Sequence, residues 1–407
     1  MPSDTVTSLL TEIDAVGADR VRGGYSRPVL SEAELDLRSW FIEHARRRGL
    51  DVEVDANQII WAWAGPPVDG ALVTGSHLDS VPGGGAYDGP LGIASALVAF
   101  DRLAERDVPG SRAIAVFPEE EGSRFGVACL GSRLLTGAIA PERALALTDP
   151  AGLSLAEAMR AGGLDPRRMG ADPTRLARIG TFLELHVEQG RGLVDLDRPV
   201  AVASSVLGHG RWRITILGRG DHAGTTLMSD RSDPMVAAAR TVVQVQALAR
   251  DVPDARATVG RLSPTPGGTN VIASRIDLWV DVRHPDDGVT RALVESIRTS
   301  ASAAADAEGC TATMTEESFS GTVGFDPGLR EELAEVLDRA PVLRTGAGHD
   351  AGVLAGHVPT AMLFVRNPTG VSHAPGEHVE PEDAEQGAVA LTEAMTFLLQ
   401  RGDGADG

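Results

Sequence analysis

Residues 71–89 read Ala71-Leu-Val-Thr-Gly-Ser-His77-Leu-Asp79-Ser-Val-Pro-Gly83-Gly-Gly-Ala-Tyr87-Asp88-Gly89. The apolar opening, Ala71 to Thr74, predicts a buried strand. His77 and Asp79 then stand where the strand runs out into a loop, separated by a single residue and able to point the same way. A glycine-rich loop carries a second carboxylate, Asp88, to the point where a helix is expected to begin, near Pro90. A neutral imidazole beside carboxylates suits a divalent metal such as zinc. Asp79 is placed to be the carboxylate that holds the His77 ring. Taken alone, the stretch reads equally well as a surface loop with a chance histidine, so the remainder of the chain has to decide.

With 407 residues the chain can form two domains and a large core. Apolar residues make up 43% and charged residues 23%, a globular composition. The net charge of −20 argues against a nucleic-acid or anionic-membrane partner. Cys129 and Cys310 match no zinc or redox spacing, which predicts reduced, buried thiols and a cytoplasmic protein. The first residues carry Asp4 and Glu12 and no long apolar core, so no signal peptide is expected, and no run reaches membrane-spanning length.

Outward from the opening stretch, residues 3–20 read as an amphipathic helix. Residues 31–48 read as a second, with Ser31 as N-cap, Glu34 completing a capping box and Gly49 ending it. Strands are expected at 51–54, 58–64 and 71–76, a helix over 90–106, a strand over 112–117, and a further strand over 182–190, Phe182-Leu-Glu-Leu-His186-Val-Glu188-Gln189-Gly190, ending in polar residues. This order predicts an α/β fold: a mixed, mostly parallel sheet with helices on both faces. Near Gly208 the pattern changes. Strands at 211–217, 255–262, 270–282 and 311–317 alternate with helices at 232–250 and 286–307. That β-α-β-β-α-β order predicts an inserted ferredoxin-like α+β domain over 208–324. Residues 1–207 and 325–407 then make the main domain, with a helix over 326–339, a strand over 360–365 and a last helix over 382–400. The tail from Arg401 to Gly407 is expected to be disordered, and its Arg-Gly-Asp to be incidental.

Several polar residues fall at strand ends. Glu119-Glu120-Glu121 follows a buried strand; such a run tolerates water or a cation, and one carboxylate can bind a metal while its neighbour carries a proton. His186 ends its strand as His77 does, and Ser372-His373 lies in a loop after another strand. His349, Asp350 and His378 are further candidates. His77, Asp88, Glu121, His186 and His373 together supply three imidazoles and two carboxylates at the carboxyl ends of an α/β sheet, where sites form. That set suits two divalent cations sharing one carboxylate. The nucleophile elbow and the P-loop are absent. The strings Gly218-Arg-Gly220-Asp-His-Ala223 and Gly346-Ala-Gly348-His-Asp-Ala351 match only the loose dinucleotide pattern.

These stretches, with His222-Ala-Gly-Thr-Thr226, Gly268-Thr-Asn270-Val, Asp281-Val-Arg283 and Gly370-Val-Ser-His373, carry a resemblance over roughly residues 70–380. The chain resembles the dinuclear amidohydrolases of the M20 metallopeptidase-like superfamily. Within it the chain is similar to the branch of N-carbamoyl-L-amino acid hydrolases, allantoate amidohydrolases and β-ureidopropionase. His186, in place of a glutamate, fits that branch rather than the carboxypeptidase-like one. The resemblance implies that Asp88 bridges two metals, with His77 and His186 on one and Glu121 and His373 on the other. It implies that Glu120 is the general base acting on the bridging water and then the acid for the leaving nitrogen, and that Asp79 orients His77. It implies a homodimer formed through the inserted domain, which serves as a lid and lends residues to the partner active site. His222 would polarise the scissile carbonyl, Asn270 and Arg283 would grip the substrate carboxylate, and Gln189, His209, Gly370 and Ser372 would line the pocket. The plain structural alternatives for Arg283, His222 and Asn270 are a surface salt bridge, a turn histidine and a turn asparagine.

The implied reaction is hydrolysis of the carbamoyl C–N bond of an N-carbamoyl-L-amino acid to the amino acid, ammonia and carbon dioxide. The implied metals are Zn²⁺ or Mn²⁺, with Co²⁺ and Ni²⁺ accepting the same ligands. Allantoate hydrolysis, a peptidase or deacylase activity, and a non-catalytic binding protein on the same fold are the alternatives. Two departures bear on substrate: Leu227 stands where relatives often have proline, and His209 where many allantoate-type relatives have glutamine.

Overall fold

The computed structural model describes residues 4–402. The chain divides into one compact unit made of the residues up to Val206 and from Gly324 on, and a second made of Leu207–Val323. In the first unit the strands are β1 Asp51–Val54, β2 Ile60–Ala64, β3 Ala71–His77, β4 Arg112–Phe117, β5 Ile179–Val187 and β6 Val200–Val206. The second unit contributes β7 Gly208–Leu217, β8 Asp221–His222, β9 Arg256–Thr265, β10 Val271–Ile272, β11 Arg275–His284 and β12 Thr311–Ser320. A two-residue β13, Val323–Gly324, returns the chain to the first unit, which adds β14 Val342–Thr345 and β15 Thr360–Val365.

In the first unit the strands follow the order β1-β2-β4-β3-β5-β15-β6, with β14 also on β6. The four central strands, β4, β3, β5 and β15, run parallel. The antiparallel pairs lie outside them, at β1–β2, β2–β4 and β15–β6. Central parallel strands are covered on both faces, and β3, β4 and β15 are buried along their whole length. Helix Pro90–Glu105 lies close on this sheet because Gly92 has no side chain; a Cβ there would stand 2.3 Å from the Leu185 carbonyl oxygen. Leu91, Leu97 and Phe100 of that helix, Leu183 and Leu185 of β5, and Leu391 and Met395 of helix Pro381–Gly402 share one buried apolar core. His77 and His186 sit at the carboxyl ends of the adjacent strands β3 and β5.

In the second unit the antiparallel order is β12-β7-β11-β9. Burial alternates along β11, and Ile276, Leu278, Val280 and Val282 meet Trp212, Ile214 and Ile216 of β7 in a separate core. Helices Pro234–Arg250 and Asp287–Ala307 complete that core, capped by Asp233 and Asp286.

Several sequence expectations are corrected. The first helix spans only Val6–Glu12. The Arg27 guanidinium takes the Ile13 and Val16 carbonyls at 3.1 and 2.9 Å, acceptors that a continuing helix would have used. Ser31 caps helix Glu32–Arg47, but the capping box is half made: Glu34 accepts from the Leu30 N–H rather than from that of Ser31. The strand expected over 270–282 is β10 and β11, because the chain changes partner from β8 to β7 and β9. Strands β6 and β14 are additions to the expected set. The last helix continues to Gly402; of the tail expected to be disordered, residues 403–407 lie outside the described residues. Both cysteines are free and buried. Among the described residues, no helix is long and apolar enough to cross a membrane.

Candidate metal centre

The site in the first unit is assembled from four segments. His77 is fully buried, and its Nδ1–H donates to the Asp79 carbonyl at 2.9 Å. His186, at the end of β5, donates from Nδ1 to the Val187 carbonyl at 2.9 Å. A carbonyl oxygen only accepts, so each ring carries its proton on Nδ1 and keeps the Nε2 lone pair. Both lone pairs face the same atom: Asp88 Oδ1 lies 3.4 Å from His77 Nε2 and 3.2 Å from His186 Nε2. Neither Nε2 makes a hydrogen bond, although both are buried. Lone pairs converging in this way require a cation or a proton between them.

The other oxygen of Asp88 faces a second group. Oδ2 accepts from Gln189 Nε2 at 2.8 Å and lies 3.6 Å from His373 Nε2. His373 Nε2 lies 3.1 Å from Glu121 Oε2, and Glu121 Oε1 is buried with no hydrogen-bond partner. The donor atoms of His77, Asp88 and His186, and those of Asp88, Glu121 and His373, form two sets, each within 4.8 Å. Asp88 belongs to both sets and offers a different oxygen to each.

The backbone fixes these positions. Gly89 has φ +87, and a Cβ there would lie 2.6 Å from the His77 ring, so only glycine lets the loop close over the histidine. Glu377 Oε1 accepts the N–H groups of Tyr87 and Asp88 at 3.0 and 2.9 Å, holding the loop from the far side. The carboxylate of Asp79 accepts the Glu120 and Glu121 N–H groups at 3.1 and 3.2 Å. The resemblance implies that this carboxylate orients His77. In the structure it lies 3.7 Å from His77 Nδ1, and the Asp79 main-chain carbonyl holds the ring while the carboxylate pins the acidic run. Glu119, read from sequence only as part of that run, turns away: its Oε1 accepts the Arg124 and Phe125 N–H groups.

The electrostatics favour a cation. Burial pushes Asp79 up to about 7, Glu119 up to about 8 and Glu377 up to about 7. Burial drives Glu120 well above the usual carboxylate range, and it raises Glu184 and Asp350 as well. Burial opposes charge on His77, but Glu120, Asp88 and Asp79 outweigh it and hold that ring well above its ordinary value. So many desolvated carboxylates meeting unfilled imidazole lone pairs fit divalent ions, whose charge and open coordination positions satisfy both.

Glu184, beside these ligands, was not assigned from sequence. Glu184 is fully buried below His186 and accepts from Ser76 Oγ at 3.1 Å and the Ala351 N–H at 3.0 Å. Buried polar residues on an otherwise apolar strand are the signal that could have found it. Asp350 accepts from the Ser132 hydroxyl, and the His349 ring packs edge-on against His186 with centroids 4.5 Å apart. Ser372 accepts from Gln189 Nε2 at 2.9 Å, and Gly370, at φ +65, admits the stem of Arg191 against it. His378 faces Tyr87 and Glu380, apart from both donor sets.

In the second unit the sequence-predicted residues fall into two pairs. His222 and Asn270 line one cavity of about 470 Å³ with Asp221, Pro266 and Ser274. His222 Nδ1 accepts the Gly224 N–H at 3.0 Å, so Nε2 carries the ring proton and can donate to a carbonyl oxygen. His209 and Arg283 stand directly opposite one another on β7 and β11. Arg283 donates from Nε to Asp281 Oδ1 at 2.7 Å. Burial, then Arg283, lowers the His209 pKa. His209 and Arg283 lie near one end of the β7–β11 pair, whereas His222, on β8, and Asn270, just before β10, follow its other end at Leu217 and Arg275, so this unit does not gather the four at one point.

Comparison with known proteins follows the same lines. The model of peptidase family M20/M25/M40 matches residues 73–396. The N-carbamoyl-L-amino acid amidohydrolase of Geobacillus stearothermophilus is 35% identical over 96% of this chain and 97% of its own length. The allantoate amidohydrolase of Bacillus subtilis (strain 168) is 33% identical over 81% of each chain. A crystal structure of an amidase of the hydantoinase/carbamoylase family from Burkholderia multivorans superimposes with a TM-score of 0.83, at 31% identity over 96% of both chains. By the reach of that family model and of these relatives, the chain belongs to peptidase family M20/M25/M40.

Proposed function

We propose that the chain is a two-metal amidohydrolase that cleaves the carbamoyl C–N bond of an N-carbamoyl-L-amino acid, releasing the amino acid, ammonia and carbon dioxide. The observation that carries this reading is Asp88, with Oδ1 before the free lone pairs of His77 and His186 and Oδ2 before His373. His77 and His186 would hold one ion, Glu121 and His373 the other, and Asp88 both. Zn²⁺ and Mn²⁺ suit these ligands, and Co²⁺ and Ni²⁺ accept them. Bound there, the ions would supply Lewis acidity to the ureido carbonyl and lower the pKa of water.

The chain's own groups do the remainder. Glu120 takes the proton of the attacking water and returns it to the departing nitrogen. Its high pKa in the buried site suits the second role, and a neighbouring cation favours the ionised form needed for the first. His222 donates from Nε2 to the carbonyl oxygen as negative charge develops there. Asn270 and Arg283 bind the substrate carboxylate, and Gln189, His209, Gly370 and Ser372 line the same pocket. The domain of residues 208–324 serves as lid and dimer contact for the catalytic domain of residues 1–207 and 325–407. The placement of His209 and Arg283 at one end of the β7–β11 pair, and of His222 and Asn270 beyond the other, supports a homodimer, in which each site draws one pair from the partner copy. A cytoplasmic location agrees with free, buried cysteines.

The test is ammonia release by protein reconstituted with Mn²⁺ or Zn²⁺, against N-carbamoyl-L-amino acids, N-carbamoyl-β-alanine, allantoate, and acetylated and dipeptide controls. Turnover of an N-carbamoyl-L-amino acid above all others is expected. Turnover of allantoate alone would establish the second reading, which the Bacillus subtilis relative favours. Release of amine from only the acyl or peptide controls would overturn the ureido assignment. Arg283→Ala is expected to raise KM for carboxylate substrates by roughly ten- to a hundredfold with little change in kcat, because a charge-assisted binding contact is lost. An unchanged KM in steady-state assays would place the carboxylate anchor elsewhere.

A further inference from the structure

We infer that Cys129 and His349 are positioning residues that hold Glu120 in one orientation, an inference that rests on the proton-transfer role proposed above. Glu120 is buried, and its two oxygens face different neighbours. Oε2 lies 3.7 Å from His77 Nε2, on the side of the metal ligands. Oε1 accepts a hydrogen bond from Cys129 Sγ at 3.5 Å and lies 4.0 Å from His349 Nδ1.

Both neighbours stand at helix N-caps, and neither caps its helix with its side chain. Serine, threonine, aspartate and asparagine are the residues that cap; here a thiol and an imidazole point elsewhere. Cys129 reaches its place with a left-handed backbone, φ 54, which a residue with a Cβ adopts only when its surroundings enforce it. Three backbone bonds do so. The N–H groups of Cys129, Leu130 and Gly131 donate to the carbonyls of Glu120, Glu119 and Pro118 at 2.7, 3.1 and 3.2 Å. The same bonds fix the main chain of Glu120, so thiol and carboxylate are registered by one strap.

His349 is held from the side away from Glu120. Thr345 Oγ1 accepts the Ala347 N–H at 3.0 Å and lies 3.4 Å from His349 Nε2, holding the ring from its far side. His349 Nδ1, the nitrogen facing Glu120, is buried and makes no hydrogen bond. Oε1 thus meets the Cys129 thiol donor and the edge of the His349 ring, while Oε2 faces His77 Nε2. The carboxylate presents Oε2 to the reaction and cannot rotate without giving up the thiol bond.

Variants of the metal-loaded enzyme test this. Cys129→Ala is expected to lower kcat roughly five- to tenfold, with KM and metal content unchanged, and Cys129→Ser, which keeps a donor, to recover most of the loss. A second readout needs no turnover: the infrared S–H stretching band assigned to Cys129, by its absence in Cys129→Ser, should shift to higher frequency in Glu120→Ala. Equal losses in Cys129→Ala and Cys129→Ser, or a band that does not move, would overturn the inference. If Glu120→Gln abolishes turnover while Cys129→Ala keeps wild-type kcat, the base stands and its positioning by Cys129 falls. If Glu120→Gln itself keeps turnover, both fall.

Discussion

Glu120→Gln should bind the wild-type complement of metal and lower kcat by about 10³-fold, with KM little changed. The substitution is close to isosteric. The amide that replaces the Glu120 carboxylate would still offer an oxygen to the Cys129 thiol, and the backbone bonds to Asp79 would be kept. Only the capacity to carry a proton is removed. No other carboxylate is equally placed. Glu119 is committed to the Arg124 and Phe125 N–H groups, Asp79 to those of Glu120 and Glu121, and Glu184 to Ser76 and Ala351. Steady-state kinetics with metal analysis on the same preparation decide the matter. A kcat within tenfold of wild type would move the base to another group.

Asp88→Ala should cost the protein both metal ions together, and with them all measurable turnover. Each donor set uses a different oxygen of this one side chain, so its removal leaves either set with only two protein ligands. Loss of a ligand that served one ion would leave the other ion in place; loss of a shared ligand weakens both. The loop should remain in place, because Glu377 holds it through backbone N–H groups. Elemental analysis of the purified variant, with circular dichroism to confirm folding, is the check. Retention of one ion per chain at wild-type affinity would mean that Asp88 serves a single metal.

Much of this centre was legible in the sequence because parallel α/β sheets place their chemistry at strand ends. His77 and His186 close buried runs, and the acidic run follows another, so the strand pattern alone brought those three segments to one edge. His373 was legible only as a histidine in a loop; its left-handed φ of 55, which aims the ring, depends on contacts that sequence spacing does not express. The same limit applies to Asp79. Its position implied contact with His77, but two hydrogen-bonding groups were available at that residue, and the structure uses the carbonyl for the ring and the carboxylate for the acidic run. Glu377 and Cys129 act across 289 and 9 residues respectively, through single contacts without periodicity, and nothing local marks them. In the second unit the strand alternation was clear, yet the break between β10 and β11 was not, because Ala273-Ser274 interrupts pairing rather than polarity. Strand β14 is four residues long and largely unburied, so its pairing left little trace in the chain, whereas β6, Val200–Val206, is as long as β3 and its apolar opening is a signal that could have found it.

The most direct measurement is an anomalous difference map from crystals grown with Mn²⁺. Two peaks are expected, about 3.5–4 Å apart, one beside His77 and His186, the other beside Glu121 and His373, with one oxygen of Asp88 on each. A single peak, or density centred instead among Glu184, His186 and His349, would contradict the shared-carboxylate centre on which the proposed hydrolysis depends.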